Sequence, residues 1–141
     1  MKRILIVSKH NACRSAMAEG WLKYYGKGVA EVHSAGIYPE ALDLWAANAM
    51  MDAVIDITRH QPKPVQDFKH VVFDYVICLS SDTQGLIPEF AGKPEVLWYD
   101  FPNPKDYQLD DAAKTKAYNQ LRDELENLAF DFVHQKIIPL Y

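Results

Sequence analysis

Residues 4–21 read ILIVSKHNACRSAMAEGW, and the change of pattern inside this stretch decides the fold. Ile4 to Val7 form an unbroken apolar run, the mark of a short buried strand. Ser8 to Ser15 follow as a loop, and an amphipathic pattern starts at Ala16. A strand that runs through a loop into a helix start makes a general anion trap. The N–H groups of the first helical turn have no intrahelical acceptor, and the helix dipole adds partial positive charge beside them. Arg14 stands at that helix start with a planar fork of donors matched to an oxyanion.

Outward from this stretch, strand and helix signals alternate. Residues 3–7 read as the first strand and 15–25 as the first helix, with Met17, Trp21 and Leu22 at helical spacing. AEVHSAG predicts a second strand ending at Gly36, and residues 41–53 a second helix. QPKPVQDF carries two prolines and reads as a loop or short-turn segment. FDYVICLS is apolar on both faces and reads as a buried third strand; PEVLWYDF gives the fourth. FPNPKDY is a loop, and a long helix fits from Leu109 to Ile138, with Tyr118, Leu121, Leu125, Leu128 and Phe132 on one stripe. No repeat, linker or low-complexity tract divides the chain, so residues 1–141 read as one domain. The expected class is α/β: a three-layer sandwich whose four-stranded parallel sheet carries helices on both faces. Ligands of such sheets bind at the carboxyl ends of the strands, where the 8–15 loop lies.

Composition narrows the function. The chain has 141 residues, 49% of them hydrophobic and 24% charged, enough for one soluble domain with a full core. A formal net charge of -4 argues against nonspecific nucleic-acid binding, so a positive loop is a local feature. The apolar run after MKR is too short for a signal-peptide core or a membrane span. Two cysteines without a secretion signal point to the cytoplasm and to reduced thiols, and no histidine stands at zinc-site spacing from them. No metal and no cofactor is expected.

SKHNACRSAMAEGW resembles the loop of the low-molecular-weight protein tyrosine phosphatases and thioredoxin-coupled arsenate reductases, whose pattern is C-x-x-x-x-x-R-[ST] followed by MAEG. VHSAGI and AMMDAVIDIT are similar to segments that follow the first helix in that family, YDFPNPK to the loop that carries its D-P pair, and YNQLRDELENLAFDF to the last helix of the arsenate reductase branch. The resemblance covers nearly the whole chain in order. It implies an oxyanion cradle formed by Ser8, Lys9, His10, Asn11, Ala12, Cys13, Arg14 and Ser15. In it Arg14 holds the anion, Ser15 supplies a hydroxyl, and Asn11 holds the turn through side-chain hydrogen bonds.

Two catalytic positions depart from the family pattern. Ser8 falls on the nucleophile and Asn103 on the acid that protonates the leaving oxygen. A thiol is readily driven to thiolate by amides and cations, whereas a serine hydroxyl needs an adjacent base. An amide delivers no proton at neutral pH, and losing an acid typically costs about 10²–10⁴-fold. The two further thiols of the arsenate reductase branch fall on Ser80 and Ile87. Cys78 reads as a core cysteine and Cys13 as a small packed residue. His10 stands where the family commonly has glycine, so it is expected to take a tight turn, either over the pocket or towards solvent. Of the nearby acids that could replace the missing one, Asp82 is expected instead to N-cap a short helix and Asp100 to cap a turn or face solvent. Trp98, Tyr99 and Tyr107 either wall a substrate or pack; Trp21 and Trp45 read as core.

The leading expectation is a member of the family that binds a phosphate-type oxyanion or a phosphorylated ligand with catalysis lost or weak, and that does not perform thioredoxin-coupled arsenate reduction. Two alternatives stay open. One is a phosphatase acting on phosphotyrosine or small phosphate esters, in which Ser8 replaces a natural cysteine by design. The other is a non-catalytic interaction protein whose arginine is tied to an internal acid.

Overall fold

The computed structural model describes residues 1–138, so the last three residues of the expected domain lie outside it. Seven main elements follow in order: β1 (Lys2–Ser8), α1 (Arg14–Tyr25), β2 (Ala30–Gly36), α2 (Leu44–Asp52), β3 (Tyr75–Cys78), β4 (Glu95–Trp98) and α3 (Asp111–Phe132). The four strands are all parallel, in the order β2-β1-β3-β4. β1 is central, which explains why its apolar run is continuous: Ile4 and Ile6 enter one core, Leu5 and Val7 the other.

The layers on the two faces are unequal. All three α-helices pack with Ile4, Ile6, Val32 and Ile77 on one face. The opposite face is covered by a 3₁₀ turn at Val65–Phe68 and by loops that contribute Phe73 and Phe90. The second face thus carries only a 3₁₀ helix with loops, a slighter layer than the expected one. The sequence reads this region as a loop or short turn, and the 3₁₀ turn that follows Pro64 is such a turn.

Several boundaries shift for local reasons. α2 begins at Leu44, later than the expected residue 41, because Asp43 caps it by accepting a hydrogen bond from Trp45 N at 2.9 Å. α3 is α-helical to Phe132 and continues as one π turn over Val133–Ile137. β4 is an edge strand with Val96 and Trp98 partly exposed. Trp21 is buried as expected, whereas Trp45 is half-buried and stacks on Tyr118 with Lys114 over its ring. Among the described residues, no helix is long and apolar enough to cross a membrane.

Candidate functional site

The 8–15 loop leaves the carboxyl end of β1 and enters α1 at Arg14. Residues 36–43, which lead from β2 to α2, form a belt around its outside. Ile37 N donates to the Ser8 carbonyl at 3.3 Å, Tyr38 N to Lys9 at 2.8 Å, Glu40 N to His10 at 2.9 Å and Asp43 N to Ala12 at 2.9 Å. His60 Nε2 donates to the Asn11 carbonyl at 2.6 Å, and Met17 N to Cys13 at 2.9 Å. A trans peptide directs its N–H opposite to its C=O. With six successive carbonyls bonded outward, the N–H groups of Lys9 through Arg14 face the other way. Among the described residues, none of these six donates to a protein acceptor.

Asn11 is the loop's internal brace. Its φ of 52° is left-handed, a region that asparagine enters more readily than most residues. The side chain is fully buried. Its Nδ2 donates to Ser15 Oγ at 2.8 Å and to Ser34 Oγ at 2.9 Å, and its Oδ1 accepts from Lys63 N at 3.0 Å. The Ser34 hydroxyl in turn donates to the Glu19 carboxylate. Gly36 explains the close fit behind Asn11: a Cβ there would meet Asn11 N and the His10 carbonyl carbon at 2.8 Å. Ser34, Gly36 and His60 are site-building residues that sequence reasoning missed. The trace of Ser34 and Gly36 was VHSAGI, a motif matched without a role, and His60 left none.

Ser8 is buried, with its hydroxyl 2.7 Å from that of Ser15. Arg14 is 5% exposed; its Nη1 donates to the Phe101 carbonyl at 3.1 Å, and its Nη2 lies 4.0 Å from Asp82 Oδ2. That distance is too long for a hydrogen bond, so Arg14 is braced but not closed by an internal acid.

The remaining residues sort plainly. The left-handed residue is Asn11, not His10, and His10 turns away from the loop interior. Its Nδ1 donates to the Tyr38 carbonyl at 2.9 Å and lies 3.7 Å from Glu40. Lys9 is half-buried. Asn103 is buried and caps the turn Pro104–Asp106, accepting from Lys105 N at 3.2 Å. Ser80, not Asp82, stands at the N-cap position of the turn Ser81–Thr83 without a capping bond from its side chain; Asp82 sits within the turn, accepting from the Ser80 hydroxyl and facing Arg14. Asp100 accepts from Ser81 N at 2.9 Å, and this bond, with help from Arg14, holds its carboxyl below the usual range. Trp98 and Tyr107 are exposed, and Tyr99 stacks on Phe101.

Neither thiol is poised for chemistry. Cys13 is buried, its Sγ 3.9 Å from Met17 Sδ, and burial pushes its pKa far up, with Asp43 adding to the shift. Burial pushes Cys78 up to about 12. Ser80 is buried, and Ile87 packs into the second core. Among the described residues, no group of histidines, cysteines and acids has a metal-binding arrangement.

Residues 3–137 match the family model of the low molecular weight phosphotyrosine protein phosphatases. The chain is 30% identical over 128 residues to the glutaredoxin arsenate reductase of Synechocystis sp., covering 91% of this chain and 96% of that protein. It is 30% identical over 131 residues to the arsenate reductase of Bacillus subtilis, covering 93% and 94%. An arsenate reductase solved in the phosphate binding state superposes with a TM-score of 0.82 at 26% identity, covering 96% of this chain and 98% of that one.

Proposed function

The chain belongs to the low molecular weight phosphotyrosine protein phosphatase family, and on that premise we propose that it holds a phosphate-type oxyanion, free or on a phosphorylated ligand, in the 8–15 loop with little or no turnover. One observation carries this reading. Six consecutive peptide N–H groups, Lys9 to Arg14, are free of protein acceptors and share the loop with the Arg14 guanidinium. Such a nest of amides at a helix start, joined by arginine, is complementary to a tetrahedral anion. The similar arsenate reductase in its phosphate binding state gives the same direction.

Weak catalysis follows from what surrounds Ser8. Its polar neighbour is the Ser15 hydroxyl, which is not a base, and His10 is engaged with Tyr38 and Glu40 on the outer side. Asn103 is spent on capping and has no acidic proton to give. Electron transfer after arsenate binding would need thiols at Ser80 and Ile87, and the two cysteines present are buried elsewhere. The reading keeps the protein in a reducing cytoplasm and needs neither metal nor cofactor.

Calorimetric titration with inorganic phosphate tests it. Wild type is expected to bind, and Arg14→Ala to lose at least about tenfold in affinity, as removal of a charge-assisted hydrogen-bond partner costs about 1.5–3 kcal/mol. Aryl phosphate hydrolysis should stay near background. Absence of phosphate binding, or hydrolysis at an ordinary enzyme rate, overturns the reading.

A further inference from the structure

The two edges of the sheet differ in what they leave unpaired. At the β2 edge, Gly36 N donates to the Lys63 carbonyl at 2.8 Å and Gly36 bridges Pro64, so the end of that strand is covered by its own chain. The rest of that edge borders a charged cavity lined by Lys23, Asp56, Arg59 and Lys63. The β4 edge carries no such cover. In its parallel ladder with β3, Glu95 N donates to the Asp74 carbonyl at 3.1 Å and Tyr99 N to the Cys78 carbonyl at 2.8 Å. Backbone groups along a strand point to alternate sides. Val96 and Trp98 therefore direct their N–H and C=O away from the sheet, and among the described residues neither amide has an acceptor.

The side chains of Val96 and Trp98 share one face, opposite the face on which Leu97 and Tyr99 pack against the helices. Val96 is 37% exposed and Trp98 42%, so free ladder groups and an apolar pair stand side by side. Such an edge is a template for another strand.

The same edge of a second copy fits it. An antiparallel pairing with its twofold axis at Leu97 sets Val96 of each copy opposite Trp98 of the other. Both residues point their ladder groups outward, so each pair exchanges both of its backbone hydrogen bonds. Each pair also brings a β-branched side chain against an aromatic one, a favourable cross-strand match. The register sets Asp100 of one copy opposite Pro94 of the other, beside Lys93. Lys93 and Asp100 are both exposed, and among the described residues Lys93 has no carboxylate partner. Opposite charges thus meet at each end of the ladder, whereas Glu95 is already paired with Lys136 at 3.2 Å. Pro94 has no N–H to give, so the ladder stops there.

We propose that the chain forms a twofold dimer through its β4 edges, Val96 of each copy pairing with Trp98 of the other and the two sheets joining into one. The contact is isologous and closes at two copies. It is independent of what the 8–15 loop binds. A ladder this short buries little area, so the association is weak and concentration-dependent.

Sedimentation velocity of the intact chain from about 5 μM to about 500 μM, a range suited to weak association, tests it. The weight-average mass should rise from one chain towards two. Val96→Pro removes an amide hydrogen that β3 does not use, at an edge where proline is tolerated, and should weaken dimerisation at least about tenfold. Trp98→Lys should weaken it as well, since lysine blunts an edge. Circular dichroism checks the fold of both variants. Amide hydrogen exchange needs no variant: in wild type, the Val96 and Trp98 amides should exchange several-fold more slowly in concentrated than in dilute solution, while the Leu97 amide, which faces β3, keeps its rate. A chain that stays monomeric throughout the range overturns the inference. So does a dimer that both folded variants leave intact, or one in which the Val96 and Trp98 amides gain no protection, because another face then holds the copies together.

Discussion

Asn11 shows how much of the site hangs on one residue. It combines a left-handed backbone with a fully buried side chain that donates two hydrogen bonds and accepts one. Asn11→Ala removes those side-chain bonds and leaves the Lys63 amide unpaired, while alanine pays more for φ > 0. The expected cost is about 2–5 kcal/mol, read as a lower urea midpoint. Phosphate affinity should fall with it, because the amides lose their common orientation. Gly36→Ala is a second residue-scale prediction. Its Cβ would press on Asn11 N and His10 C, backbone atoms that cannot step aside as a flexible side chain does. Phosphate affinity is expected to drop at least about tenfold with only modest loss of stability, since overpacking costs about 1–3 kcal/mol; unchanged affinity would refute the belt's role. The 8–15 loop and its helix start were legible in the sequence because their spacing is local. The brace was not, since Ser34, Gly36 and His60 come from distant segments and no local pattern marks a glycine chosen for close approach.

At the scale of elements, Asp43 ties three parts together. Its amide donates to the Ala12 carbonyl, its Oδ1 caps α2 at Trp45 N, and its Oδ2 receives the Tyr118 hydroxyl from α3. Burial first, and the bond to Asp43 second, push the Tyr118 hydroxyl pKa well up. Asp43→Ala loses a cap worth about 1 kcal/mol and strands a buried hydroxyl for about 1–3 kcal/mol more. Tyr118→Phe in the same chain should recover part of that loss, and a double-mutant cycle measures the coupling. Strict additivity of the two substitutions would show that no such tie exists. Element order was readable from alternating periodicities, and the central strand from its double-sided apolar run. The ends were not, because capping at Asp43 overrides the helical pattern that starts at Ala41. The thin second layer was also hidden: apolar residues in loops, such as Phe73 and Phe90, carry no period.

The whole molecule sets the pH range in which the loop persists, and it decides whether a thiol at position 8 and an acid at position 103 can be accommodated. Cys78 is raised by burial to about 12, and Tyr25 is raised to about 12 chiefly by its hydrogen bond to Glu126. Both groups hold their protons more tightly when folded, so their contribution is full below the unfolded values and lost as pH rises towards 12. Unfolding free energy should therefore decline from about pH 9 upward, and Tyr25→Phe should flatten the part of that limb above pH 10, as followed by urea denaturation. Accommodation depends on what surrounds each position. Cysteine at position 8 is nearly isosteric with serine, and it would lie beside the Ser15 hydroxyl and the free amides. Aspartate at position 103 caps a turn as well as asparagine does, so the Pro104–Asp106 turn should survive. Ser8→Cys with Asn103→Asp is thus expected to fold with wild-type stability and to hydrolyse an aryl phosphate at least about 10²-fold faster than wild type, the lower bound for a positioned acid. Ser8→Cys alone should capture less of the gain. If the double variant binds phosphate, forms its thiolate and still shows background turnover, position 103 does not face the leaving oxygen, and divergence has moved the acid loop as well as its residue.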